Sequence, residues 1–220
     1  MAVLPRSTPL LLMALVGLTA CGLPPRADSP ATVSPRLATR VRGLTKALPS
    51  LDRPVSACRV LAFAHQQALA FDEAARFQSL AGTHITALGV PGPGGHWTLR
   101  YLSAPSGSPS PSQAGASYRA ITLRIHESGQ AELEAAWLDG LPLGLALFDS
   151  PIPRIDSQSA IAHARTLRPT QPLDAHFRLT LAGSLNAHHF RELAWHVQTL
   201  RQDGLEPPVV FNASTGDSLR

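Results

Sequence analysis

Two alternating runs around one turn constrain this chain more than any other feature. Ile121, Leu123 and Ile125 alternate with Thr122, Arg124 and His126. After Glu127-Ser128-Gly129, Ala131, Leu133, Ala135 and Trp137 alternate with Gln130, Glu132 and Glu134. Period-two alternation sends apolar side chains to one face of a strand and polar ones to the other, so this is a hairpin with one face on a core. The same period recurs at Trp97, Leu99 and Tyr101, at Phe177, Leu179 and Leu181, and at Leu193, Trp195 and Val197. Asp203-Gly204 is a hairpin turn signal, and Val209-Val210-Phe211, entered through Pro207-Pro208, suits an edge strand.

Helical periods lie between these strands. Ala57, Leu61, Ala64, Ala68, Phe71 and Ala75 recur every three or four residues, which predicts a long helix over 55–80 stopped by Gly82. Asp156 or Ser157 caps a second helix carrying Ala160, Ile161, Ala164 and Leu167, stopped by Pro169 and Pro172. Residues 104–117 are Pro, Ser and Gly with little to bury and read as a loop. The fold expected is α+β, antiparallel sheet or sheets packed on helices. It falls into two related helix-strand-strand-strand halves, 55–150 and 151–220.

Ahead of them, residues 1–20 carry one charge, Arg6, and an apolar run from Leu10 to Leu18. The run is too short to span a membrane but has the form of a secretory signal. Leu18-Thr19-Ala20-Cys21 resembles the bacterial lipobox. The resemblance implies that 1–20 are removed and that Cys21 is lipidated with three acyl chains, more than the two needed for stable anchoring. The plain alternative is an ordinary signal peptide beside a chance Cys. Gly22 is not the Asp that retains some lipoproteins in the inner membrane, so the resemblance points to the envelope, facing the periplasm or exterior. Residues 21–54 read as a lipidated tether, Pro-rich over 22–35. Over 36–48, Leu37, Val41, Leu44 and Leu48 form a stripe among Arg36, Arg40, Arg42 and Lys46. That pattern predicts a short basic amphipathic helix that would dock on the domain or lie on an anionic membrane.

With Cys21 lipidated, Cys58 is the only thiol left, so the chain is held by its core rather than by a disulfide. Its 19 basic and 15 acidic residues give a net charge of +4. The arginines are spread along the chain, which argues against a nucleic-acid partner.

Residues 151–220 resemble a PepSY-type domain. Ser157-Gln158-Ser159-Ala160-Ile161-Ala162-His163-Ala164 matches that family's helix start, and Ala194-Trp195-His196-Val197 its aromatic strand. Asn212-Ala213-Ser214-Thr215-Gly216-Asp217 matches its closing turn, with Asn212 for the usual Asp and Asp217 for the usual Glu. Trp97-Thr98-Leu99-Arg100 and Glu127-Ser128-Gly129-Gln130 give the first half a looser match, a tandem repeat. The resemblance implies a modulatory envelope module, in some cases acting on peptidases, with no active site to carry over.

Chemistry-bearing residues are sparse. His188, His189 and His196, with His176, are the densest histidines, but neighbouring residues on a strand point to opposite faces. They read as surface histidines, and no metal site is expected. Asp72-Glu73 reads as a solvated helix face rather than an acid/base pair. Gly92-Pro93-Gly94-Gly95 reads as a loop without the Lys-Ser/Thr of a phosphate cradle. Trp97, Trp137 and Trp195 read as core. No catalytic residue and no cofactor is expected. The leading expectation is a monomeric, non-enzymatic lipoprotein that binds or modulates a peptide or protein partner. The alternatives are an envelope carrier with a small apolar ligand near Leu141–Phe148, and a metal-dependent enzyme.

Overall fold

The computed structural model describes residues 44–52, 54–104, 117–139, 146–169, 174–183, 192–201 and 204–219. Cys21, the lipobox and the 22–35 tether lie outside them. Nine strands and two helices occur among the described residues. They run β1 (Leu44–Leu48), α1 (Ala57–Phe71), β2 (Arg76–Ile85), β3 (Pro91–Ser103), β4 (Ser117–His126), β5 (Ala131–Asp139), α2 (Ser157–Leu167), β6 (Phe177–Gly183), β7 (Leu193–Arg201), β8 (Gly204–Leu205) and β9 (Val209–Asn212). All strands join one sheet in the order β1-β5-β4-β3-β2-β6-β7-β8, with β9 also paired to β7. Every pairing is antiparallel.

This overturns the α+β expectation of sheets packed on helices in two helix-strand-strand-strand halves. The molecule is predominantly an antiparallel sheet with two short helices on it. Two segments assigned to helices account for the error. Residues 76–80, expected as the last part of the helix over 55–80, belong to β2, hydrogen-bonded to β3 on one side and β6 on the other. Residues 44–48, expected to end a basic helix, are β1, paired with β5 along Leu44↔Ala135 to Leu48↔Ala131. Gly92-Pro93-Gly94-Gly95, read as a loop, lies in the first part of β3.

The helix stops at Asp72 because its side chain competes for the backbone. Asp72 Oδ1 accepts from the Ala74 amide at 3.0 Å, and the Ala75 amide donates to the Asp72 carbonyl at 2.9 Å. That turn offers the backbone an alternative to another helical residue.

Both helices lie on the face that buries Leu80, Trp97, Leu99, Tyr101, Leu123, Leu181 and Trp195. Helix α1 buries Val60, Leu61, Ala64 and Ala68, and α2 buries Ala160, Ile161 and Ala164. One anchoring device occurs twice. Trp97 Nε1 donates to the Val55 carbonyl at 2.9 Å, and Trp195 Nε1 donates to the Ile155 carbonyl at 2.8 Å, each just ahead of a helix. Residue 82 must be glycine because a Cβ there would meet the Trp97 ring at 2.3 Å.

The helix N-termini also meet. Asp156 Oδ1 accepts from Ser157 N at 2.7 Å in its own helix and from Cys58 N at 2.9 Å in α1. Ser157 Oγ accepts from Ala57 N at 3.0 Å and donates to the Gly89 carbonyl at 2.7 Å. Two groups thereby satisfy first-turn amides that would otherwise lack partners.

Candidate functional site

Antiparallel strands that bury one face leave the other to polar residues. Here β4 turns Thr122, Arg124 and His126 away from the helices, β3 turns His96, Thr98 and Arg100, and β2 turns Ala81 and Thr83. Thr180 and Arg178 on β6, and His196 and Gln198 on β7, continue the surface. Among the described residues no helix lies over this face. It is closed at one end, where Leu102 and Tyr118 are buried, and opens from Arg100 onward.

Register fixes its texture. One cross-strand row runs Glu132, Arg124, Thr98, Ala81, Thr180, His196, Val210. Its middle is paved with short side chains. Arg100 and Arg178 stand exposed on either side of that row, and neither has an ion-pair partner among the described residues. Arg124 lies 3.4 Å from Glu132 on β5.

Four histidines gather toward one end. His96 and His126 face each other across β3 and β4 with ring centres 6.2 Å apart, and His84 and His176 lie 5.9 Å apart. His96 Nδ1 is 3.1 Å from Thr83 Oγ1. His84 sits at a β-bulge with φ 51°. Burial lowers the pKa of His96, and the charges of Arg124, His126 and His84 lower it further. Burial also lowers the pKa of His196. Sequence density had pointed to His188, His189 and His196. His188 and His189 lie outside the described residues, and His196 stands apart on β7. His176, named with that group, lies instead beside His84, and only strand order reveals His84, His96 and His126 as neighbours. Among the described residues no three of His, Cys, Asp and Glu are placed to hold a metal ion.

These histidines make stability depend on pH. His65, on α1, is likewise shifted down, by burial and then by Arg76. A lowered folded pKa means the unfolded chain takes up protons first, so stability is full above the ordinary value of 6.5 and declines below it. The urea midpoint should fall between pH 7.5 and pH 5.5, and His196→Gln should flatten the fall. A midpoint constant over that range would rule the linkage out.

A second feature lies at the end of α1. Phe71, Asp72, Glu73, Ser103, Arg119 and Trp137 line a cleft of about 410 Å³. Trp137, expected in the core, is 40% exposed. The Arg119 guanidinium sits 4.8 Å from the Trp137 ring centre and 3.0 Å from Asp72 Oδ2. Asp72 is therefore committed to Arg119 and the local turn, and does not pair with Glu73. Arg119→Ala removes a largely buried ion pair and a cation–π contact, and should cost about 1–2 kcal/mol. Thermal unfolding reads this, and a loss equal to that of Arg124→Ala would deny the pair any special role.

Cys58 is half-buried, its Sγ 3.7 Å from the Pro153 carbonyl. Burial, then the charge and hydrogen bond of Asp156, push the thiol up to about 12, so it is protonated at neutral pH and a poor nucleophile. Of the Leu141–Phe148 stretch, 141–145 lie outside the described residues. Phe148 exchanges both backbone hydrogen bonds with Phe77 and packs on the core.

The closing turn of the chain is built on Asn212. Its Oδ1 accepts from Ser214 N at 2.7 Å and Thr215 N at 3.0 Å, and its Nδ2 donates to the Glu192 carboxylate. An Asp at 212 would make the same turn but set two carboxylates together, which gives the Asn a physical reason. No family model, curated protein or solved structure matches the chain.

Proposed function

We propose that this chain is an envelope lipoprotein, anchored through lipid on Cys21, that acts without catalysis by docking a peptide or protein partner on the open face of its sheet. One observation carries the reading: from Arg100 to Gln198 this face is half-exposed, polar and bare of helix, while the other face is sealed by both helices. A broad face with short side chains along its middle row gives a partner's backbone room to approach. The PepSY-type resemblance of residues 151–220 agrees with a modulatory role. Its support here is the Asn212 turn and the central placement of Trp195.

The test joins anchor and face. A photo-crosslinking amino acid at Thr98 should capture an envelope partner in bacterial cells, and the same group at Leu167, exposed on the helix side, should not. Wild type should lose residues 1–20, gain acyl chains by intact mass and follow the membrane, with Cys21→Ser doing none of these. Equal capture from both positions would overturn the docking reading. A soluble, unmodified wild type would overturn the anchor.

A further inference from the structure

We propose that the open sheet face takes an acidic polypeptide segment, its carboxylates meeting Arg100 and Arg178 and its backbone lying over the short side chains between them. The inference rests on the docking reading above and adds the chemistry of the partner.

Charge complementarity carries it. From β4 across β3, β2 and β6 to β7, the open part of the face presents Arg124, Arg100 and Arg178, together with His126, His96 and His196. Among the described residues these five strands place no Asp or Glu on it. Carboxylates border it: Glu132 and Glu134 on β5, Glu127 just past β4 and Glu192 just ahead of β7, with Glu132 engaged by Arg124 and His126 and Glu192 by Asn212. Arg100 and Arg178 are exposed cations with no ion-pair partner among the described residues, two strands and four residues apart, roughly 16 Å by sheet geometry. Between them Ala81, Thr98 and Thr180 form a low strip, where a backbone can approach and two hydroxyls can bond it. The downward shift of the His96 pKa is caused first by burial and then by Arg124, His126 and His84, so the groups around His96 are mostly basic, with Glu132 meeting both Arg124 and His126 at the margin.

The same features favour a polypeptide over a denser polyanion. The face has no lysine, and its two free arginines are far apart, whereas nucleic acid is met by clustered cations. Two carboxylates spaced along a chain match two separated guanidiniums, each able to bind bidentately.

The probe is a fluorescein-labelled ten-residue peptide alternating Glu and Ala, against its Gln-and-Ala counterpart, with the full-length protein in detergent micelles. The Glu peptide should bind, and the Gln peptide should bind at least about tenfold more weakly. Arg100→Gln with Arg178→Gln should weaken the Glu peptide about tenfold, the loss of two exposed ion pairs, while Arg154→Gln, exposed outside the sheet, leaves it unchanged. Thermal unfolding checks that the double variant is folded. Equal binding of both peptides, or an unchanged double variant, overturns the proposal. So does binding to phosphatidylglycerol vesicles in place of the peptide, which would make the ligand a lipid headgroup. If Thr98 still captures a protein in cells while the Glu peptide does not bind, docking stands and the acidic partner falls. If neither is seen, both fall.

Discussion

Trp195→Ala should cost about 3–5 kcal/mol, and Trp195→Phe about 1–2 kcal/mol. The first figure is that of emptying a large, fully buried aromatic site. The second isolates the indole N–H, because Phe keeps most of the ring but leaves the Ile155 carbonyl without its donor. Trp97 makes the equivalent bond to Val55, so Trp97→Phe should cost about the same. Its alanine variant should be as severe, since Gly82 leaves nothing to fill the space. Urea unfolding of the four variants tests this. If either Phe variant matches wild type, the carbonyl anchor contributes nothing and the indoles act by volume alone.

The second large effect is at Asp156. One carboxylate oxygen accepts from the first turns of both helices, so Asp156→Ala removes two caps at once and should cost about 2–3 kcal/mol. Burial works to raise the Asp156 pKa. Hydrogen bonds from Ser56, from the Cys58 and Ser157 amides and from the Cys58 thiol outweigh it and hold the carboxyl below the usual range. The sign follows: a depressed folded pKa gives stability that is full above the ordinary value of 3.8 and is lost as pH falls through the folded value. Asp156→Asn should keep part of the cap and lose this acid dependence. Urea midpoints at pH 6, 4 and 3 decide it. A wild type and an Asn variant that lose stability in parallel below pH 4 would place the acid sensitivity elsewhere.

The sequence announced those elements whose period is unambiguous. The β4–β5 hairpin alternates cleanly, and the end of α2 and its Asp156 cap were readable because a side-chain acceptor precedes a helical stripe. Strands β1 and β2 were hidden by arithmetic. Leu44 and Leu48 are four apart, which is one helical turn but also an even number, so they share a face in either structure. Ala68, Phe71 and Ala75 carry a helical spacing straight through the Asp72 turn. What decides β2 is pairing on both edges, with partners around residues 99 and 181, and no local pattern contains those. The open face shares that fate. Thr98, Arg100, Thr122 and Arg124 were legible as the polar side of strands. That Arg178, 78 positions from Arg100, shares the surface depends on strand order alone. Trp137 misleads because alternation gives the face a residue points to and not what covers it: Ala131 and Leu133 on the same face of β5 are buried, while Trp137 opens onto the cleft at the end of α1.

The pairing of Leu80 with Leu181 lies at the middle of the sheet. A strand needed at the centre thus waits for residues about a hundred positions later, and loop closure over that length is slow as well as costly. In a chain synthesised N-terminus first, the β2–β5 segment is made long before its last neighbour. Until β6 emerges, one edge of β2 stays open, with its amides and carbonyls available to any other extended chain. The interval between synthesis of β2 and closure by β6 is therefore when this protein is most exposed to mispairing, and when a holding chaperone would matter most.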